Sequence, residues 1–167
     1  MSHATRLSTI HRDSATGLLW WRHIVDAIIL RIDSSNPEAE MQSETINGAV
    51  FETWDIDEVA DAWAANRIVL IDVRTVQEYS FEHIEGALLL PMPFFNAEKL
   101  PGQSEKQIVF HCGSGVRSEK VARAAIAAGI TKVAHMAGGF AAWKAAKLPY
   151  IGTNLGTGAP QKVNAGA

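Results

Sequence analysis

Cysteine is almost absent from this chain, since Cys112 is the only one among 167 residues. A single thiol cannot form an intramolecular disulfide, and it excludes zinc and iron–sulfur sites built from several cysteines. The six histidines show no spacing typical of metal ligands, so no metal site is predicted. The Gly113-Ser-Gly115 segment lacks the third glycine and the downstream acid of a dinucleotide-binding loop, and no cofactor is expected.

Long apolar runs and an excess of positive charge are missing as well. The most apolar stretch, residues 18–32, is interrupted by charged side chains and is too short and too polar to cross a bilayer. No signal-peptide cleavage pattern follows it. With 18 acidic and 15 basic residues the net charge is −3, which does not favour binding to nucleic acid or to an anionic membrane. Together with the lone thiol, these absences predict a cytoplasmic protein.

The two ends of the chain differ in composition from its centre. Residues 1–48 are predicted to be an N-terminal extension and linker, in which an amphipathic helix over 18–32 is followed by polar residues. Met41 is an alternative start of translation. Residues 152–167 are rich in glycine, alanine and proline and are predicted to be a flexible tail. The folded domain is therefore expected over residues 49–151.

Strands and helices alternate within this central part. Continuous apolar or β-branched runs predict strands at Ala49–Thr53, Ile68–Ile71, Ala87–Leu90, Gln107–His111 and Val133–Met136. Capping and stop signals predict helices from Asp55 to about Ala65, over Arg117–Ala128 and over Phe140–Lys147, with a helical turn within Pro93–Leu100. Such alternation is typical of an α/β fold with a small, mostly parallel sheet and helices on both faces.

The candidate for chemistry is Cys112, at the end of an apolar strand and before a short loop that leads into a helix. In α/β sheets ligands bind beyond the carboxyl ends of the strands. The amides of Gly113, Ser114, Gly115 and Val116 can turn inward to cradle an anion, and the helix N-terminus adds a partial positive charge. Such a field lowers the pKa of a thiol. Arg117 adds a guanidinium whose fork suits sulfur or phosphorus oxyanions.

A lone cysteine is more often a small buried apolar residue than a nucleophile, and only its position at this corner favours catalysis. Its surroundings are locally basic. The cations suit a small anionic substrate, although an exposed helix face also accounts for some of them; they are Arg117, Lys120, Arg123 and Lys132.

Three further polar residues near the site are interpreted as structural. His111 precedes Cys112 in the same strand, and adjacent strand residues point to opposite faces of the sheet. Asp72 and Arg74 follow another predicted strand, and Arg74 is expected to pair with a carboxylate such as that of Glu78.

Four separated segments resemble the rhodanese domain in order and spacing, over about residues 50–150. Glu82 departs from the family pattern, which usually has glycine there, and the first 48 residues have no counterpart in the minimal domain. The segments are Leu70–Arg74 with Glu78-Tyr79, His83–Ala87, Cys112–Ser118 and Gly138–Trp143.

The resemblance implies a sulfurtransferase. Cys112 would take a sulfane sulfur from a small anionic donor such as thiosulfate, or from a persulfide, and hold it as a cysteine persulfide among the loop amides. A thiol, cyanide or a protein acceptor would then remove the sulfur. Arg117 would bind the anionic end of the donor, and Ser118 would cap the helix and donate to the sulfur.

Two alternatives remain open. One is a cysteine-based phosphatase or arsenate reductase of the same fold, and the other is a non-catalytic sulfur-carrier or regulatory module. Many cysteine phosphatases have five residues between cysteine and arginine, whereas four separate Cys112 from Arg117 here. The shorter loop fits a single sulfur better than a tetrahedral phosphate.

Overall fold

The computed structural model describes residues 42–163. The helix predicted over 18–32 and the alternative start at Met41 lie outside these residues. Residues 42–163 form nine strands and four helices, with two short 3-10 turns at Met92–Phe94 and Ala97–Lys99. In chain order they are β1 (Gln42–Ile46), β2 (Ala49–Trp54), α1 (Ile56–Ala64), β3 (Ile68–Asp72), α2 (Val76–Phe81), β4 (Glu82–His83), β5 (Leu88–Leu89), β6 (Gln107–His111), α3 (Val116–Ala127), β7 (Lys132–Met136), α4 (Gly139–Ala145), β8 (Tyr150–Thr153) and β9 (Pro160–Val163).

The main sheet has six strands in the order β1-β2-β7-β6-β3-β5. All its neighbours are parallel except the β1–β2 pair. The central strand β6 has parallel partners on both sides, and residues 108–111 of it are fully buried. The structure therefore confirms the predicted α/β fold with a mostly parallel sheet.

Helices cover both faces of this sheet and enclose two apolar cores. On one face Val121 and Ala125 of α3 pack with Phe51 and Phe110. On the other face α1 and α4 pack against the sheet, and Trp143 lies in this second core. Burial on both faces explains why β3 and β6 are continuously apolar instead of alternating.

β1 lies within the segment predicted to be a linker, so that part of the prediction is wrong. The strand pairs antiparallel with β2 through a two-residue turn at Asn47 and Gly48. Both turn residues have positive φ, at 50° and 83°, as a type I′ hairpin turn requires. Residues 42–45 of β1 are exposed and polar, so no apolar alternation marks the strand. The Asn-Gly pair is the signal that could have predicted it.

The segment predicted to be a flexible tail also contains paired backbone. β8 lies between β4 and β9 in a second, antiparallel three-stranded sheet that reaches Val163. Asn154 organises the turn, because its side-chain oxygen accepts from the amides of Gly156 at 2.9 Å and Thr157 at 3.1 Å. The content of glycine and proline predicted a flexible tail, but residues 154–159 form the ordered turn that joins β8 to β9.

The remaining elements follow the predictions with shifted ends and two omissions, one of which is the two-residue strand β4. α1 has the predicted N-cap, and Asp55 and Glu58 form a complete capping box. α3 begins at Val116, one residue before the predicted start, because Gly115 is its N-cap. The short helix α2 was not predicted. Within residues 42–163, no helix combines the length and apolar character that a membrane span needs.

Candidate active site

Cys112 lies immediately after β6, at the carboxyl end of the sheet and between its two parallel neighbours. Its side chain is buried, with 1 % of the residue's surface exposed. The buried strand fixes the Cys112 Cα, and the short loop to α3 passes over the thiol. The structure therefore places this residue where the sequence predicted it.

The loop after Cys112 closes around the sulfur. The backbone N–H of Gly115 donates to Cys112 Sγ at 3.2 Å. Gly115 has φ of +97°, and a Cβ there would stand 3.2 Å from the amide nitrogen of Gly138. Glycine is thus required both by the backbone angle and by the close approach of a second loop. The side chains of Ser114 and Val116 are exposed. Ser114 acts on the thiol through its amide, whereas Val116 is not among the residues that shift the pKa of Cys112.

The surroundings of the Cys112 thiol favour its ionised form. Burial raises the pKa of the thiol, but the amides of Ser118, Ser114 and Gly115 and the Ser118 hydroxyl together outweigh burial. The net effect is a pKa below the ordinary value of a cysteine. These donors lie in the loop and first turn of α3, where the helix dipole adds to the same effect.

Ser118 is the third residue of α3 and is buried. Its hydroxyl donates to the carbonyl of Gly115 at 2.9 Å, while Gly115 itself is the N-cap. The expectation that Ser118 caps the helix is therefore wrong, although its hydroxyl does favour the Cys112 thiolate. His135, which the sequence analysis did not single out, has its Nδ1 3.5 Å from this hydroxyl.

The start of α4 holds the cysteine loop through backbone hydrogen bonds. The amides of Phe140 and Ala141 donate to the carbonyls of Cys112 at 2.7 Å and Gly113 at 3.0 Å. Any Cβ on Gly139 would overlap the Cys112 carbonyl and would lie 2.8 Å from the Gly113 carbonyl carbon. The glycine pair at 138–139 was noted as part of the family resemblance, but nothing in the sequence showed that it touches the cysteine loop.

Arg117 does not point an unpaired charge at the mouth of the loop. Its two terminal nitrogens donate to the two carboxylate oxygens of Glu78, at 2.8 and 2.7 Å. The hydrogen bonds from Arg117, partly opposed by burial, lower the pKa of Glu78 to about 2. The ion pair is therefore fully charged at neutral pH. The sequence did not predict this pair, because Glu78 was expected to bind Arg74.

Arg74 instead binds Asp72 beneath the site. Its Nε and Nη2 donate to the Asp72 carboxylate at 2.6 to 3.0 Å, and Nη2 also donates to the Glu82 carbonyl at 2.7 Å. The predicted Arg74–Glu78 pairing is wrong, because the first turn of α2 directs Glu78 toward Arg117. Asp72 and Arg74 are both buried, and they join the end of β3 to the start of β4.

His111 is buried next to the Asp72–Arg74 pair. Its Nε2 lies 3.7 Å from Asp72 Oδ2, and neither ring nitrogen has a hydrogen-bond partner. Burial lowers the pKa of His111 to about 4, so the ring is neutral at physiological pH.

The basic region expected around α3 is largely neutralised. Arg123 binds Glu119 at 3.0 Å and Glu44 at 3.2 Å, and Lys132 binds Glu52 at 3.1 Å. With Arg117 paired to Glu78, three of the four cations have a carboxylate partner. Lys132 begins β7 and therefore lies at the opposite end of the sheet from Cys112. This surface therefore attracts anions less than its sequence predicted.

A family model for the rhodanese-like domain matches residues 55–146, which contain the cysteine loop and its supporting helices. The chain belongs to the rhodanese-like family. This confirms the resemblance seen in the four sequence segments.

Relatives in the rhodanese-like family include proteins named for sulfur transfer. The thiosulfate sulfurtransferase GlpE of Coxiella burnetii is 33 % identical over 94 residues, which cover 56 % of this chain and 82 % of that protein. The human single-domain sulfurtransferase TSTD1 shares 25 % identity with a TM-score of 0.52, and the match covers 56 % of this chain and 95 % of TSTD1.

The Synechocystis protein slr1261 is 37 % identical over 86 residues, which cover 52 % of this chain. The chain spans 48 % of the length of that relative.

Proposed function

We propose that this rhodanese-like protein is a sulfurtransferase in which Cys112 carries the transferred sulfur as a persulfide. The observation that carries the proposal is the buried Cys112 thiol at the end of β6, whose sulfur accepts from the Gly115 amide at 3.2 Å. The amides of Ser114 and Ser118 and the Ser118 hydroxyl also favour the thiolate and lower the pKa of Cys112. The same donors favour a terminal persulfide anion, because it places negative charge in the same cradle.

The reaction proceeds in two displacement steps. The Cys112 thiolate attacks the outer sulfur of thiosulfate, a sulfur–sulfur bond forms, the donor's sulfur–sulfur bond breaks, and sulfite leaves with the electron pair. With a thiol persulfide, the leaving group is the thiol. A thiolate or cyanide then attacks the outer sulfur of the Cys112 persulfide and regenerates the thiolate. The intermediate is covalent, so ping-pong kinetics are expected.

The tightness of the site favours sulfur over phosphorus as the atom attacked. Cys112 is almost fully buried, and four loop residues separate it from Arg117. One sulfur atom of an extended donor can reach the thiol end-on. A phosphate ester has to bring a tetrahedral centre with three oxygens to the same point. A carrier module that receives sulfur from a protein would use the same persulfide.

The proposed partners are a small sulfur donor and a thiol, cyanide or protein acceptor, and they require neither metal nor cofactor. The sulfurtransferase names of GlpE and TSTD1 support this substrate class. We also propose a cytoplasmic location, because a catalytic thiol that cycles through a persulfide depends on a reducing compartment.

Intact-mass measurement tests the proposal directly. After incubation with thiosulfate and removal of excess reagent, the protein should gain about 32 Da, the mass of one sulfur atom. Cyanide should remove the added mass. Cys112→Ser should show no gain, while Ser80→Ala, a change on the exposed face of α2, should behave as the parent protein. The proposal is wrong if no sulfur donor, thiol persulfides included, produces the gain and if the protein instead hydrolyses an aryl phosphate.

A further inference from the structure

Arg117 stands between the candidate nucleophile and a carboxylate. Its guanidinium makes a two-point ion pair with Glu78, and a Cβ on Gly113 would lie 3.4 Å from its Nη2. The hydrogen bond to Glu78 raises the pKa of Arg117, and the nearby Cys112 adds to the effect. Arg117, the second residue of α3, therefore lies beside the cysteine loop and is neutralised by Glu78.

Glu78 is held in this position by its own helix. Thr75 and Glu78 form the capping box of α2, in which the Thr75 amide donates to Glu78 Oε2 at 2.9 Å. The same oxygen accepts from Arg117 Nη1 at 2.8 Å. Two fixed donors thus hold the carboxylate in a single orientation at the rim of the loop. Both partners of the ion pair are about one-third exposed, so an incoming donor meets the pair and not a bare guanidinium.

The pairing changes which donors the site can attract. Thiosulfate carries two negative charges, and an unpaired Arg117 would offset one of them. With Glu78 in place the Arg117–Glu78 pair has no net charge, and Arg123, further along α3, is also paired with carboxylates. A dianion therefore gains little from this rim and is repelled by the Cys112 thiolate, whereas a donor with one charge or none is repelled less.

We propose that Glu78 is a specificity-determining residue, which neutralises Arg117 and thereby selects donors of low negative charge, such as thiol persulfides, over thiosulfate. This inference rests on the proposed sulfur-transfer function and names its donor class. For a protonated thiol persulfide, the Cys112 thiolate forms a bond to the outer sulfur and the donor's sulfur–sulfur bond breaks. The proton of the outer sulfur passes to the leaving thiolate, so the donor leaves as the neutral thiol, Cys112 holds a persulfide anion, and no further reactant is needed.

The test compares two donors that deliver the same sulfur atom with different charge. Thiosulfate is a dianion that releases sulfite, and benzenethiosulfonate is a monoanion that releases benzenesulfinate. The rate of the Cys112 mass gain is measured for each donor at low ionic strength. Glu78→Gln should raise the rate about tenfold with thiosulfate and about threefold with benzenethiosulfonate, since each donor charge contributes separately. Both increases should shrink in about 0.5 M salt.

Two further variants separate this inference from a general loss of negative charge and from direct donor binding by Arg117. Glu85→Gln removes a carboxylate that pairs with Lys162 at 2.7 Å on the surface, and it should leave the ratio of the two rates unchanged. The double variant Glu78→Gln with Arg117→Gln keeps the rim neutral and should retain the parent ratio. If Arg117 binds the donor directly despite Glu78, the rate of the mass gain with thiosulfate should fall strongly in the double variant relative to the rate with benzenethiosulfonate.

The outcomes are distinct. A mass gain in the parent protein with an unchanged donor ratio in Glu78→Gln overturns the role of Glu78 but leaves sulfur transfer intact. No mass gain in the parent protein with any sulfur donor overturns sulfur transfer itself. If Glu78→Gln does not fold, Arg117→Gln is compared with the double variant, because only the single change leaves the Glu78 carboxylate without its cation. A thiosulfate-to-benzenethiosulfonate ratio that falls in Arg117→Gln and returns to the parent value in the double variant supports the inference, and equal ratios in the two variants contradict it.

Discussion

The four helices of this domain begin in two different ways. α1 and α2 each start with a complete capping box, formed by Asp55 with Glu58 and by Thr75 with Glu78. α3 and α4 each start after a glycine in the left-handed conformation, and neither has a side-chain cap. In the first pair the N-terminal amides are satisfied within the helix. In the second pair they are available to the cysteine loop.

The difference separates helices whose first amides stabilise the helix itself from helices whose first amides build the cysteine loop, although α2 also supplies Glu78 to the rim of that loop. Amides at the start of α3 favour the Cys112 thiolate, and amides at the start of α4 donate to the carbonyls of Cys112 and Gly113. A serine or aspartate cap on either helix would compete for those same amides. The absence of a capping side chain is thus part of how the cradle is made.

The largest effect in this comparison is expected from Gly139→Ala at the start of α4. The new methyl group would overlap the Cys112 carbonyl, and φ at this position is +56°. Overpacking and the strained backbone should together reduce the free energy of unfolding by about 3 kcal/mol. Urea unfolding measures the loss. Alkylation of Cys112 at neutral pH should slow as well, because the loop has to move.

Gly129→Ala is the matched control for that substitution. Gly129 also has a left-handed φ, of +96°, but a Cβ there meets no atom within 4 Å. Gly129→Ala should reduce the free energy of unfolding by only about 1 kcal/mol and should leave the alkylation of Cys112 unchanged. Equal losses of unfolding free energy in the two variants would show that the close approach of α4 to the cysteine loop does not contribute to stability.

A second effect concerns the pH dependence of Cys112. Because its pKa is lowered in the fold, alkylation by iodoacetamide should reach its plateau at lower pH than that of a free cysteine. Ser118→Ala removes one donor and should move the profile to higher pH. Ser80→Ala changes a serine on the capped helix α2 and should not move it. Coincident profiles for Ser118→Ala and the parent would contradict the role of that hydroxyl.

The same shift affects stability with a definite sign. A thiol whose pKa is lower in the folded than in the unfolded chain stabilises the fold above the unfolded pKa of about 8.5. The contribution is lost as the pH falls through the folded pKa. Cys112→Ser should therefore remove a rise of unfolding free energy with pH between these two values.

The smallest effect is expected at a capping box. Asp55→Ala removes the acceptor for the amides of Asp57 and Glu58, at 2.9 Å each. It should reduce the free energy of unfolding by about 1 kcal/mol and leave Cys112 alkylation unchanged. Asp61→Ala, an exposed change on the same helix, is the control and should cost less. A clear change in alkylation would break the division between structural and site-building helices.

Sequence patterns predicted the parts of the fold where local chemistry and burial agree. The buried strands β3 and β6 contain the continuous apolar runs 68–71 and 108–110. The spacing of Asp55 and Glu58 is that of a capping box and predicts the start of α1. Cys112 could be singled out because it ends such a strand before a glycine loop. β1 escaped prediction because pairing with β2 requires no buried side chains over most of its length.

The partners of charged residues could not be predicted in the same way. Glu78 follows Arg74 by one helical turn in sequence, yet it binds Arg117, which is 39 residues away. Arg74 binds Asp72, which is the last residue of β3 and precedes Arg74 by two positions. The choice depends on where α2 directs its first turn, and that direction is set by packing across the sheet.

The order of strands in the sheet has a consequence for synthesis of the chain. Thr53 on β2 lies beside His135 on β7, 82 residues later. At about 5–20 residues per second, β2 waits for roughly 4–16 s before its second neighbour leaves the ribosome. β1 covers its first edge from the start through a two-residue turn. The cysteine loop is completed later in synthesis than this strand pairing, because α4, whose amides bind the carbonyls of Cys112 and Gly113, follows β7 in the chain.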